Sequence, residues 1–224
     1  VNPLGAGLKN RLLSAIILGP LALGIIFYGH WPFMIMVCVL LIISALEWKH
    51  LVENASAPIL HFLLGSLYLL IGFCSFVGLR FAFEDGAFLS LAVILCIWAS
   101  DSGAYAAGKT IGGPKLIPKI SPNKTWAGLG GAVFCAGAAL AAFLYLGQTY
   151  MNVGPFDLLF FAGLGFICGG VAQIGDLLMS FYKRRAGAKD TGHLIPGHGG
   201  LLDRIDSALL VIPLFFGLAF LWKM

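Results

Sequence analysis

Seven stretches of this chain, at about 12–28, 32–47, 59–79, 87–107, 127–147, 156–179 and 205–222, are apolar over close to the length that crosses a bilayer. A spanning helix needs roughly 17–25 such residues. In hydrocarbon each backbone N–H and C=O must be paired within the protein, which makes the α-helix the structure for isolated runs of this kind. The runs therefore predict an all-α fold: a polytopic transmembrane helical bundle of about seven spans, forming a single integral-membrane domain over residues 1–224. Composition points the same way, with 59% hydrophobic and only 11% charged residues, where soluble domains carry about 25% charged residues. The mean hydropathy is +0.94. A chain this apolar cannot cover its own surface with polar groups in water, so a lipid bilayer is its partner and its solvent. No internal repeat and no low-complexity linker interrupts it.

The first run follows Lys9 and Arg11, the order found in a signal peptide. No small-x-small cleavage site precedes the next run, so it reads as a retained first span. The cysteines, Cys38, Cys74, Cys96, Cys135 and Cys168, each stand alone in an apolar run. They have no spacing suited to zinc or to a redox pair, and they read as small apolar core residues.

Orientation follows from the basic residues, because cytoplasmic loops collect Lys and Arg. With the N-terminus in the cytosol, Lys9, Arg11, Lys49, Lys109, Lys115, Lys119, Lys124, Lys183, Arg184, Arg185, Lys189 and Arg204 all fall inside. Only Arg80 and Lys223 fall outside. The two long inside segments, 108–125 and 180–204, are rich in Gly, Pro and Lys, and 180–204 adds carboxylates and histidines. A loop that only enforces topology needs charge and none of the rest.

The carboxylates locate the chemistry. An Asp in a spanning segment costs about 2.5–3.5 kcal/mol on insertion scales, so it is rare without a purpose. Asp101, in WASDSGAY, and Asp176, in QIGDLLMS, lie late in two spans that run toward the cytosol. Asp203 and Asp206, in LLDRID, open the last span from the same side, and their spacing of three puts them on one helical face. Carboxylates gathered at one level repel unless a cation lies among them. Hard oxygen ligands suit magnesium, which is held by one or two carboxylates plus substrate phosphates. Asp176, Asp203 and Asp206 are the expected magnesium ligands. Salt bridges to Arg204, Lys183 or Arg184 are the structural alternative, and Asp101 either supports the ligands or faces a wet cavity.

Cations surround these carboxylates: Lys183, Arg184, Arg185, Lys189 and Arg204 nearby, and Lys109, Lys115, Lys119 and Lys124 from the other inside segment. Magnesium-holding carboxylates mixed with Lys and Arg describe a polyphosphate site. Ser121, Asn123 and Thr125 add neutral donors beside Lys124, just before a predicted helix start, where free N–H groups favour an anion. The segment 192–200 holds four glycines with His193 and His198. Glycine permits the close backbone approach that phosphate cradles use, but no GxxxxGK[ST] is present, so this is not a P-loop. His198 serves phosphate contact, proton transfer or structure.

The run from Ser180 to Asp206, SFYKRRAGAKDTGHLIPGHGGLLDRID, resembles the signature of the phosphatidate cytidylyltransferase (CDP-diacylglycerol synthase) family, S-x-x-K-R-x4-K-D-x-G-x2-[LIF]-P-x-H-G-G-x2-D-R-x-D, with each fixed position present. LKNRLLSAIILGP near the N-terminus, ASDSGAY at 99–105, KLIPKISPNKTWAG at 115–128 and GDLLMS at 175–180 extend the resemblance. The chain is shorter than the common bacterial members between Glu47 and Phe62. The resemblance implies transfer of CMP from CTP to phosphatidic acid, with release of pyrophosphate and with magnesium as cofactor, a second, monovalent cation being left open. It implies Asp176, Asp203 and Asp206 on magnesium and Lys124, Lys183, Arg184 and Lys189 on the phosphates, with Asp190 orienting Lys189 or a metal-bound water. Ser121, Asn123, Thr125, His198, Gly199, Gly200, Arg204 and Asp101 complete the expected substrate site. It also implies a bacterial inner membrane location with the site facing the cytosol. No nucleic-acid partner is expected, and a homodimer would suit a small, flat bundle.

A CTP-dependent polyprenol-type kinase or an archaeal-lipid cytidylyltransferase would use a similar site on another lipid. A cation-coupled transporter also carries intramembrane carboxylates, but at the midplane between repeated halves, where this chain clusters them at one face. A lipid-binding scaffold would need the basic residues without the aspartates.

Overall fold

A computed structural model describes residues 3–53, 55, 57–151, 154–192, 194 and 199–223, with side chains described except at 3–15 and 148–151. The elements are α1 (Pro3–Tyr28), α2 (His30–Val52), α3 (Pro58–Phe81), α4 (Gly86–Thr110), β1 (Lys115–Ile117), β2 (Ser121–Thr125), α5 (Trp126–Met151), α6 (Pro155–Arg185), α7 (Leu202–Ile205) and α8 (Ala208–Lys223). Five helices, α2 to α6, are long and apolar enough to cross a membrane, and Ile16–Tyr28 and α8 are shorter apolar helices. The expected all-α bundle is therefore found, with the first six apolar runs each inside one helix.

The outer faces are apolar. Ile35, Ile59, Phe134, Leu146, Phe156 and Leu159 are all exposed, as side chains facing lipid rather than water must be. Inside, the driving force between helices is close packing rather than exclusion of water, so small residues sit where backbones meet. Gly103 on α4 lies against Cys135 on α5, where an added Cβ would come within 2.7 Å of the Cys135 Cβ. Gly169 on α6 lies against the Ala132 carbonyl of α5 at a similar 2.7 Å. Ser100 Oγ donates to the Gly169 carbonyl at 3.3 Å, so α4 and α6 are also joined by a polar contact.

Two departures from the sequence expectation shape the functional end. The inside segment after α4 is not all loop: β1 and β2 pair antiparallel, Lys115 with Thr125 and Ile117 with Ser121. Pro122 is tolerated because a two-stranded hairpin leaves an edge that needs no donor. The expected last span is also divided. Helical bonding stops at Asp206 and Ser207 between α7 and α8, where Asp206 Oδ1 accepts the Ser207 amide at 2.8 Å and the Ser207 hydroxyl at 3.3 Å. A side chain that bonds the adjacent backbone competes with the helix ladder. Asp203, within α7, and Asp206, its C-cap residue in helical conformation, keep their spacing of three, and the break follows Asp206.

Arg80, expected at the opposite face, lies at the end of α3. Its Nε donates to the Ile26 carbonyl at 2.8 Å and its Nη2 to the Phe27 carbonyl at 3.1 Å. A cation on the last carbonyls of α1 satisfies groups that the helix leaves unpaired.

Candidate active site

A cavity of about 400 Å³ opens where α4, the β-hairpin, the start of α5, α6 and the α7–α8 joint converge. Each helix presents a stripe at helical spacing. On α4 the stripe is Asp101, Ala104, Tyr105 and Gly108, all lining the cavity. On α6 it is Gln173, Asp176, Ser180 and Lys183, of which Gln173, Asp176 and Lys183 line the cavity. Gly175 brings the α7–α8 joint onto α6: a Cβ there would meet the Asp206 carbonyl oxygen at 2.7 Å and the Ser207 Cα at 3.0 Å. Only a residue without a side chain lets the two chain segments approach so closely.

The hairpin delivers Lys124. Its Nζ lies 2.7 Å from Asp176 Oδ2 and 2.8 Å from Gln173 Oε1. Asp176 Oδ1 accepts from Ser180 Oγ at 3.2 Å. Thr125 caps α5 instead of facing open solvent, its Oγ1 accepting the Gly128 amide at 3.0 Å, and it still borders the cavity beside Asn123.

Asp203 accepts from four donor atoms among the described residues. Lys183 Nζ lies 2.6 Å from its Oδ1. Its Oδ2 accepts from the Thr191 amide at 2.8 Å, the Thr191 hydroxyl at 3.1 Å and the Gly200 amide at 3.1 Å. Burial works against the charge of Asp203, but these donors outweigh it and hold the carboxyl below the usual carboxylate range.

Five aspartates line this cavity, Asp101, Asp176, Asp190, Asp203 and Asp206, against three cations, Lys124, Lys183 and Arg204. The formal excess of two negative charges equals the charge of one divalent cation. Asp101, Asp176 and Asp206 act on one another electrostatically, and Tyr68 Oη on α3, buried without a hydrogen-bond partner among the described residues, also lies in the field of Asp206. Hard carboxylate oxygens with uncompensated charge fit magnesium. No three Asp, Glu, His or Cys side chains among the described residues converge as a group that could hold a metal ion. All three expected magnesium ligands, Asp176, Asp203 and Asp206, border this cavity, each with a carboxylate oxygen engaged by neighbouring donors.

The other expected site residues divide. Asn123, Lys124, Thr125, Asp101, Asp176, Lys183, Asp190, Asp203, Arg204 and Asp206 all meet at the cavity. Arg184 does not: its Nε donates to the Ile120 carbonyl at 3.3 Å and its Nη1 to the Ala188 carbonyl at 3.2 Å, tying the hairpin turn to the loop after α6. Ser121 and Lys189 also lie outside the lining. Gly199 adopts φ 82, a left-handed conformation that favours glycine. At Gly200 a Cβ would meet Glu47 Oε2 at 2.6 Å and the Gly192 nitrogen at 2.7 Å. These two glycines therefore serve the close folding of their own loop. His198 falls outside the described residues.

Glu47 and Gln173 were not anticipated. Glu47, on α2, accepts the Leu201 amide at 2.8 Å, the Leu202 amide at 2.9 Å and the Thr191 hydroxyl at 3.0 Å. An acidic residue closing an apolar run was the available signal. Gln173 stands three residues before Asp176 on the same helical stripe, a spacing that points to it directly.

Apolar helices enclosing a cavity lined by carboxylates and cations together define an integral membrane protein with a charged site. The chain belongs to the phosphatidate cytidylyltransferase family: residues 54–222 match the model of the "Cytidylyltransferase family". It is 35% identical over 216 residues to a phosphatidate cytidylyltransferase of Rickettsia felis, covering 94% of this chain and 92% of that protein. A protein of the same name from Staphylococcus aureus (strain COL) is 41% identical over 152 residues, 68% of this chain and 55% of the relative. One from Haemophilus influenzae is 42% identical over 130 residues, 58% of this chain and 45% of the relative. The chain thus spans about half the length of the last two and nearly all of the Rickettsia protein.

Proposed function

We propose that this chain catalyses transfer of CMP from CTP to phosphatidic acid, giving CDP-diacylglycerol and pyrophosphate, at the cytosolic face of a bacterial inner membrane. The observation that carries this is one cavity in which Asp101, Asp176, Asp203 and Asp206 meet Lys124, Lys183 and Arg204. That mixture suits polyphosphate chemistry. The side of the membrane follows from the basic residues, of which Arg80 and Lys223 alone fall opposite to the cavity when the seven apolar segments all span.

A phosphate oxygen of the lipid attacks the α-phosphorus of CTP. The bond from that phosphorus to the oxygen bridging to the β-phosphorus breaks, and pyrophosphate leaves with its electron pair. The nucleophile arrives ionised, so the site needs no strong general base. It needs two anions held in line and the developing charge compensated. Lys124, from the hairpin, and Lys183, from α6, provide ammonium groups toward the phosphates, and Arg204 receives the lipid phosphate. Asp176 and Asp206 would hold magnesium, which when bound neutralises charge on the triphosphate and on the leaving pyrophosphate. Asp203 keeps Lys183, Thr191 and Gly200 in place.

The test is an assay of purified protein with labelled CTP, phosphatidic acid and magnesium. CDP-diacylglycerol and labelled cytidylyl transfer are expected. Transfer of the γ-phosphate to a polyprenol, without CDP-lipid, would replace the proposal with the kinase alternative.

A further inference from the structure

A second cavity, of about 210 Å³, lies directly behind the first and is lined almost wholly by apolar side chains of α1 to α4 and α8. Ile26, Phe73, Ile97 and Leu209 are buried in its walls. Within this lining only Trp98 and Arg204 are exposed, so they mark its mouth. Arg204 lines both cavities. The α7–α8 joint is the partition between them, with Asp206 and Ser207 on the polar side and Ile205, Ala208 and Leu209 on the apolar side.

We propose that the apolar cavity is an acyl-chain subsite: it takes one hydrocarbon tail of the lipid substrate while Arg204, at the mouth, holds the phosphate of the same molecule facing the polar cavity. The proposal rests on the lipid-phosphate acceptor inferred above and adds where its tail goes. The complementarity is in the charges and the walls together. A lipid phosphomonoester is an anion joined to hydrocarbon, and this site is a guanidinium joined to an apolar chamber. Guanidinium is the side chain suited to forked contact with phosphate. A soluble metabolite would have no use for the chamber, and a neutral lipid would have no use for Arg204.

Two variants that fill the chamber from partly buried wall positions test this, Ile94→Trp and Met36→Trp, each assayed with long-chain and with dihexanoyl phosphatidic acid. The unaltered protein should prefer the long-chain lipid. Each variant should lose that preference, with the long-to-short ratio of kcat/KM falling roughly tenfold, which is about 1.4 kcal/mol. KM for CTP should stay unchanged. A second measurement needs no chamber-filling change: phosphatidic acid with a doxyl group on its acyl chain should quench fluorescence in the unaltered protein, and the Trp98→Phe protein should lose that part of the quenching. Variants that keep the full chain-length preference would overturn the subsite. So would equal Trp98 quenching by doxyl-labelled phosphatidylcholine, which would make the chamber a place for any bilayer lipid. Absence of CDP-lipid formation by the unaltered protein would instead sink the proposed reaction, and the quenching comparison would still decide the subsite.

Discussion

Glu47 and Thr191, separated by 144 positions in sequence, meet at 3.0 Å between the Glu47 carboxylate and the Thr191 hydroxyl. The same carboxylate accepts the Leu201 and Leu202 amides. One side chain of α2 therefore satisfies the exposed N–H groups at the start of α7 and anchors the loop that leads into it. Glu47→Gln keeps the shape but brings an N–H₂ group against donors. Hydrogen bonds to a charged group contribute about 1.5–3 kcal/mol each, so the variant should lose roughly 2 kcal/mol of stability and most activity. Thermal unfolding in detergent with a parallel turnover assay checks this, and unchanged values in both would remove Glu47 from the site's support.

Lys124 stands between Asp176 and Gln173. Lys124→Met leaves Asp176 without its closest cation and removes a phosphate partner. Truncating one member of a hydrogen-bonded charge pair costs about 2–5 kcal/mol, and at the lower end kcat/KM should fall roughly thirtyfold. Steady-state kinetics against CTP decide it, and a Lys124→Met protein with the kinetics of the parent would contradict the assignment.

The aspartates should separate by role. Asp176→Asn and Asp206→Asn should raise the magnesium concentration needed for half-maximal activity. Asp203→Asn should leave that requirement unchanged and lower thermal stability, because its donors belong to the loop and to Lys183. A magnesium titration of each variant distinguishes them. A raised requirement in Asp203→Asn alone would return the metal to Asp203.

Protonation of Asp203 should contribute to loss of stability at the acid end. Its carboxyl titrates below the usual range in the folded protein, so the folded state favours the charged form. The stabilisation is complete above the unfolded carboxylate value of about 3.9 and is lost as pH falls from there through the lower folded value. Unfolding temperature followed from neutral pH to below 4 should drop steeply at the acid end, as roughly expected for a carboxylate titration. Asp203→Asn should flatten that drop, and an identical acid profile in both proteins would refute the assignment.

Much of the site was legible in the chain. The aspartates in apolar runs stood out because burying a charge in lipid is costly, and Lys124, Lys183 and Arg204 stood out by keeping them company. Arg184, Ser121 and Lys189 show the limit of that reasoning. Motif spacing places a residue near a site, while the direction of its side chain depends on where the hairpin turn and the loop after α6 come to rest. Glu47 was missed for the complementary reason, since its partners lie on a segment remote in sequence.

The sequence by itself determined that this protein is a bundle of apolar helices with its charges gathered at one end. Hydrocarbon leaves an isolated apolar run no other way to pair its backbone, and a buried carboxylate requires company. Tertiary structure alone decided which groups each carboxylate meets. Gly175 admits the Asp206–Ser207 joint onto α6, the donors of Lys183, Thr191 and Gly200 converge on Asp203, and Arg204 comes to border two cavities of opposite character. Those outcomes rest on contacts of a few ångströms between segments distant in the chain, which no local pattern encodes.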